Sequence, residues 1–282
     1  MSDRIKGVAA YLLIAFGLAW INLRVAWSLG FLPGCLLLRL ATLPGAFAPA
    51  IAAFVVRKWI TREGFGDAGL ALNLRKKWPY YLVAWFFPGI AVLLIFPLAA
   101  VAGARLPWPI PPNILWAIPR LPAEFILGAV LWTPLAWGEE FGWRGYLQIR
   151  LLAHRPVLAA VATGLIWAAW HYATNLEAFI YPGQHFLRIL AFPVTLILAS
   201  IILGWLRERA GSVGAPALYH AANNASNGSA TMSSLLGAMT GRGWDWPVVG
   251  WVLALIPMGV LCAWIVLSGR REMEGLHEEA HS

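Results

Sequence analysis

The sequence predicts an all-α fold: a polytopic membrane protein built as a bundle of about eight transmembrane helices, with the N and C termini cytoplasmic. Three observations carry this expectation. Of the 282 residues, 60% are hydrophobic and only 12% charged, about half the charged share of a soluble domain. Apolar runs long enough to cross a ~30 Å hydrocarbon core as helices recur along the whole chain. The basic residues gather in the segments between those runs, and with an asymmetry that sets their orientation.

The first run, about residues 7–28, follows the basic head "MSDRIKG". Apolar sequence resumes after Arg24 with no convincing small-residue cleavage site, so the run reads as a retained signal anchor. The others cover about 35–56, 78–103, 116–137, 156–175, 187–206, 213–235 and 247–268. With the N-terminus inside, 15 of the 21 Lys and Arg residues fall in inner segments, whereas Arg24, Arg39, Arg105, Arg120, Arg188 and Arg242 lie toward the outside. That bias supports inner termini and a location in the cell membrane.

The longest inner loop, "RKWITREGFGDAGLALNLRKKW", reads as a solvated topogenic loop; the alternative is that its basic ends lie against anionic headgroups. Trp59, Trp78, Trp108 and Trp246 stand near span ends, as an interfacial aromatic belt requires. The outer linker "RLPWPIPPN" cannot continue a helix, and the tail "RREMEGLHEEAHS" reads as a short solvated end. No large soluble domain fits, so residues 1–282 are expected to form a single integral membrane domain.

The net charge of +8 raises the question of nucleic acid, but the cations sit in short loops and do not mix with aromatics on one polar face, so no nucleic-acid partner is expected. Cys35 and Cys262 lie in apolar runs without a CxxC partner and read as packing residues.

In such a chain the informative residues are ionisable groups inside or at the edge of spans, where they are expensive. Three short motifs hold nearly all of them. In "WGEEFGWRGY", Glu140 and Arg144 form an i, i+4 pair if the helix runs on, while Glu139 points about 100° away and is free to act as a general base. In "GLIWAAWHYA", Trp167 and His171 share a face one turn apart. In "ALYHAANN", His220 and Asn224 do the same, and both side chains can donate to a developing oxyanion.

Each motif alone also fits plain structure: glutamates solvated at a helix end, a histidine packed in the bundle, a His/Asn pair bonded between helices. Their co-occurrence on three spans favours one interior site, where each can satisfy its neighbours. Glu124 is expected to snorkel or pair with Arg120, Asn223 to pack, and His154 and His185 to be solvated loop residues.

The pattern EExxxR, [FW]xxxH, HxxxN resembles the CPBP family (CAAX proteases and bacteriocin-processing enzymes, also called Abi), which includes the Ras-converting CAAX endopeptidase. The resemblance covers about residues 120–230, the expected catalytic core, and is close in "EEFGWRGYL" and "GLIWAAWH". The family more usually has Phe where Trp167 stands, an aromatic exchange that reads as neutral.

The resemblance implies an intramembrane glutamic endopeptidase without cofactor or metal, cutting a membrane-associated peptide or protein. Glu139 and His171 would activate a water, His220 and Asn224 would form the oxyanion hole, and Glu140 and Arg144 would orient the site, which would open toward the cytoplasm. Two other readings stay open: a zinc peptidase, since two histidines and a glutamate make a legitimate ligand set, and a non-enzymatic immunity, scaffold or transport protein. The drawn spans leave His171 too far out to meet Glu139. Their depths match if the fourth helix runs on to about Arg150.

Overall fold

The computed structural model describes the backbone of residues 3–30, 36–152, 154–180 and 186–281, and the side chains of these except 36, 38, 39, 173–190 and 270–281. The expectations for Cys35 and His185 lie outside the described residues. Helix dominates the described residues, and among them the nearest approach to a strand is an isolated bridge between Arg105 and Thr240.

The chain is a multi-pass membrane protein. Among the described residues, six helical stretches are long and apolar enough to cross a membrane: Asp3–Ser28, Leu40–Ile60, Leu74–Val101, Pro112–Arg150, Ala191–Ala210 and Trp246–Gly269. They contain or coincide with α1 (Asp3–Ser28), part of α2 (Leu36–Ala46), α3 (Ala48–Val55), α4 (Leu74–Leu93), α5 (Ile95–Val101), α6 (Leu121–Gly142), part of α8 (Phe186–Ala210), α11 (Trp246–Leu253) and part of α12 (Leu255–His281). The fifth expected run forms α7 (Pro156–Ile180), whose apolar part, Pro156–Tyr172, is shorter.

The fourth helix does run on. After α6 a wide turn, Trp143–Leu147, with π-type i→i+5 winding leads into a last helical turn, Gln148–Arg150.

The seventh expected span, 213–235, is not one helix. It divides into α9 (Gly214–Asn227) and α10 (Ala230–Ala238). The polar run through Asn227 ends at Gly228, and the Ser229 hydroxyl then caps α10 by accepting from the Met232 N–H, satisfying one of the donors a helix start leaves open.

The main core is lined by small and aromatic residues, including Tyr11, Ala15, Ala52, Trp143, Tyr146, Trp167, Ala215 and Tyr219. Against it α9 is enclosed by α4, α6 and α8. Close approach depends on glycine: a Cβ on Gly128 would stand 2.7 Å from Ala225 Cβ, and one on Gly142 would stand 2.4 Å from Pro49 Cβ. Small residues let membrane helices meet this way, where lipid supplies no hydrophobic drive between them.

Two readings of the surface are corrected. Trp59, Trp78 and Trp108 are exposed, but Trp246 is buried and donates to the Gly241 carbonyl at 3.2 Å, so it packs the core rather than joining a belt. The loop 61–73 is not simply solvated. Asp67 bonds Arg57 at 2.7 Å and Arg150 at 3.2 Å, its backbone carbonyl accepts from Arg207 at 2.7 Å, and Val213 N–H donates to Gly69.

Candidate active site

The three motifs meet in the core. Glu140 and Arg144 are both fully buried, and Arg144 Nη1 donates to Glu140 Oε1 at 2.9 Å. The same oxygen lies 2.9 Å from His220 Nδ1. With Glu140 ionised against Arg144, that nitrogen carries the hydrogen and donates it, so one carboxylate oxygen ties α9 to α6.

Glu139, next in the chain, is half-buried and turns to α7, where its Oε2 accepts from Trp167 Nε1 at 2.9 Å. The expectation of a cation-free Glu139 holds in part: among the described residues no arginine or lysine pairs with it, but an indole N–H does. The reading of Trp167 as a neutral exchange for Phe is corrected here, because phenylalanine has no such donor. The signal was present in the side-chain inventory: among apolar aromatics only tryptophan carries a donor without an acceptor.

Trp167 is the hub of the arrangement. Its ring centroid lies 5.4 Å from that of His171 and 5.1 Å from that of His220, and the Arg144 guanidinium lies 4.7 Å from it. His171 Nδ1 is 3.0 Å from the Trp167 carbonyl. A carbonyl can only accept, so Nδ1 carries the hydrogen, and in the neutral ring the basic nitrogen is Nε2. Trp170 stacks edge-on against His171 at 4.9 Å and is itself anchored to α1 through Ala15 O at 3.2 Å.

The members differ in exposure. His220 is buried, whereas Asn224, one turn farther along α9, is exposed, and among the described residues no side-chain hydrogen bond fixes its carboxamide. Asn223 is half-buried and accepts from Asn227 Nδ2 at 3.0 Å, consistent with packing. His154 is exposed. Among the described residues no three of His, Cys, Asp or Glu gather as metal ligands.

Glu124 lies within the electrostatic reach of Arg120, but among the described residues its hydrogen bonds go elsewhere. It accepts from the hydroxyls of Ser229 and, at 2.7 Å, Thr231, the residues that open α10.

Residues 119–226 match the family model for type II CAAX prenyl endopeptidase, Rce1-like. This is the family that the three motifs resemble. The Rce1-like segment runs from α6 through α9 and so contains the Glu pair, Arg144, Trp167, both histidines and Asn224. The match supports CAAX-type intramembrane protease activity in general, hence a hydrolase acting in a bilayer on a membrane-associated peptide or protein. Helices α1 to α5 and α10 to α12 lie outside the Rce1-like segment. A comparison with curated proteins finds no match.

Proposed function

We propose that the protein is an intramembrane endopeptidase of the glutamic type, hydrolysing peptide bonds of a membrane-associated peptide or protein by direct attack of water. The observation that carries the reading is how the Glu139–Glu140 dipeptide divides: one acid bonds α9 at His220, the other bonds α7 one turn before His171. Four ionisable groups thereby come together inside a bundle, where such groups are expensive unless they serve one another and a reaction.

In this reading Glu139 and the basic Nε2 of His171 bind the water, and Glu139 takes its proton as the oxygen attacks the carbonyl carbon. The developing oxyanion receives hydrogen bonds from Asn224 Nδ2 and from Nε2–H of His220, which requires the imidazolium form of His220. On collapse Glu139 delivers its proton to the leaving amine. Glu140 and Arg144 hold the His220 ring in orientation. No serine or cysteine belongs to the constellation, so no acyl-enzyme forms.

The charge distribution supports an orientation. The end of the bundle where α1 begins carries Arg4, Arg57, Arg150 and Arg207, so that end and both termini are assigned to the cytoplasm, with the site opening there and the whole chain acting as one membrane domain. The test compares the membrane peptidome of cells carrying the natural protein with that of cells carrying Glu139→Ala. The natural protein should yield truncated membrane peptides that the variant lacks; identical peptidomes would remove the peptidase reading.

A further inference from the structure

Arg57 and Arg144 are both fully buried, and only Arg144 belongs to the constellation described above. Arg57 sits on the wide turn Val56–Ile60 that ends α3, outside the Rce1-like segment. Burying a guanidinium is costly unless its donors are well used. One edge of Arg57 serves the loop: Nη1 donates to Gly64 O at 2.5 Å and to Asp67 Oδ1 at 2.7 Å. The other edge turns inward, where Nη2 donates to the carbonyl of Gly145 at 2.7 Å.

Gly145 directly follows Arg144 in the wide turn Trp143–Leu147. Such turns wind more loosely than an α-helix and concentrate at functional positions. This one is secured from outside by arginines: Arg57 takes the Gly145 carbonyl, Arg150 Nη1 takes that of Tyr146 at 3.2 Å, and both guanidinium groups lie over the Tyr146 ring, at 5.4 and 4.2 Å. Neutralising Asp67 would need only the outward edge of Arg57, so the inward bond calls for a separate reason.

We propose that Arg57 is a positioning residue of the site: by holding the Gly145 carbonyl it fixes the backbone that carries Arg144, and through Arg144 and Glu140 the ring of His220. The chain of contacts is short, 2.7 Å to Gly145, then 2.9 Å from Arg144 to Glu140 and 2.9 Å from Glu140 to His220. The kinetic part of the test rests on the peptidase reading; the spectroscopic part does not.

Protein labelled with ¹⁵N-histidine in lipid nanodiscs gives the Nδ1–H signal of His220, assigned by its loss in His220→Gln. Arg57→Met should shift or erase that signal, Arg57→Lys should restore it in part because one donor can still reach Gly145, and Asp67→Asn should leave it as in the natural protein. On a peptide that the natural protein cleaves, Arg57→Met should lower kcat about ten- to a hundredfold, as misplacement of a site group does, with KM within about threefold.

Should Arg57→Met fail to fold, Arg57→Lys carries the test with an intermediate shift expected. An unchanged His220 signal in the folded Arg57 variant overturns the proposal. So does an equal change in Asp67→Asn, which would make the charge balance of the loop the cause. If the natural protein cleaves nothing while the His220 signal still follows Arg57, the peptidase reading fails and the positioning role stands.

Discussion

Glu124 and Glu140 stand toward opposite ends of α6, and the bundle answers each with different chemistry. Glu124 receives the neutral hydroxyls of Ser229 and Thr231 and pins the start of α10. Glu140 receives a buried guanidinium and an imidazole, while its neighbour Glu139 takes an indole N–H. Hydroxyl partners satisfy a carboxylate and hold helices in place, but they bring no group that titrates near neutrality. The Glu140 end gathers histidines, whose ring nitrogens can give up or take a proton. Carboxylates at the two ends of α6 therefore differ in what answers them, neutral hydroxyls at one end and a guanidinium, an imidazole and an indole at the other.

That contrast can be broken or sharpened by substitution. The largest effect is expected from Glu140→Leu, which leaves Arg144 buried without its counter-charge; losing one partner of a buried pair costs ~3–5 kcal/mol, to be read as a fall in thermal midpoint in detergent together with lost cleavage. A midpoint within a degree or two of the natural protein would make the pair incidental. Next is Trp167→Phe, which keeps the aromatic stack but removes the donor on Glu139. Loss of one charge-assisted hydrogen bond, ~1.5 kcal/mol or more, corresponds to about tenfold in rate, with the fold retained by circular dichroism.

Glu124→Gln preserves an acceptor for at least one hydroxyl, so it should cost only ~1 kcal/mol of stability and leave turnover unchanged; a loss of turnover would move Glu124 to the chemical side of the comparison. The smallest effect concerns Asp67. Burial alone would raise its carboxyl, but the hydrogen bond and charge of Arg57 and the charge of Arg150 outweigh this and hold it below the ordinary carboxylate value. The folded value being depressed, its contribution to stability is present above the ordinary value and is lost as the pH falls through the lowered one. Asp67→Asn should therefore flatten the acid limb of a stability-against-pH curve slightly, since the side chain is 56% exposed and screened by salt.

Much of the fold was legible because hydrophobic length is a local property, and the Glu140–Arg144 pair because i, i+4 spacing is fixed by helix geometry. The bundle site was legible from the three motifs together. The break between α9 and α10 was not: it depends on Ser229 and Thr231 meeting Glu124 from a helix about a hundred residues earlier. Trp246 looked interfacial because it stands near a span end, but burial is decided by neighbours such as Ala99 and Met239. The Arg57 clamp joins two wide turns that nothing in the local pattern announces.

The looser winding at Trp143–Leu147 makes residue count itself a constraint. Removing Leu147 would leave every letter of the acidic motif in place, yet with the winding before it unchanged it would turn the following segment by about 100° around the helix axis and carry Arg150 away from Asp67, Glu63 and the ring of Tyr146. Along this stretch a one-residue deletion should be harsher than most single substitutions.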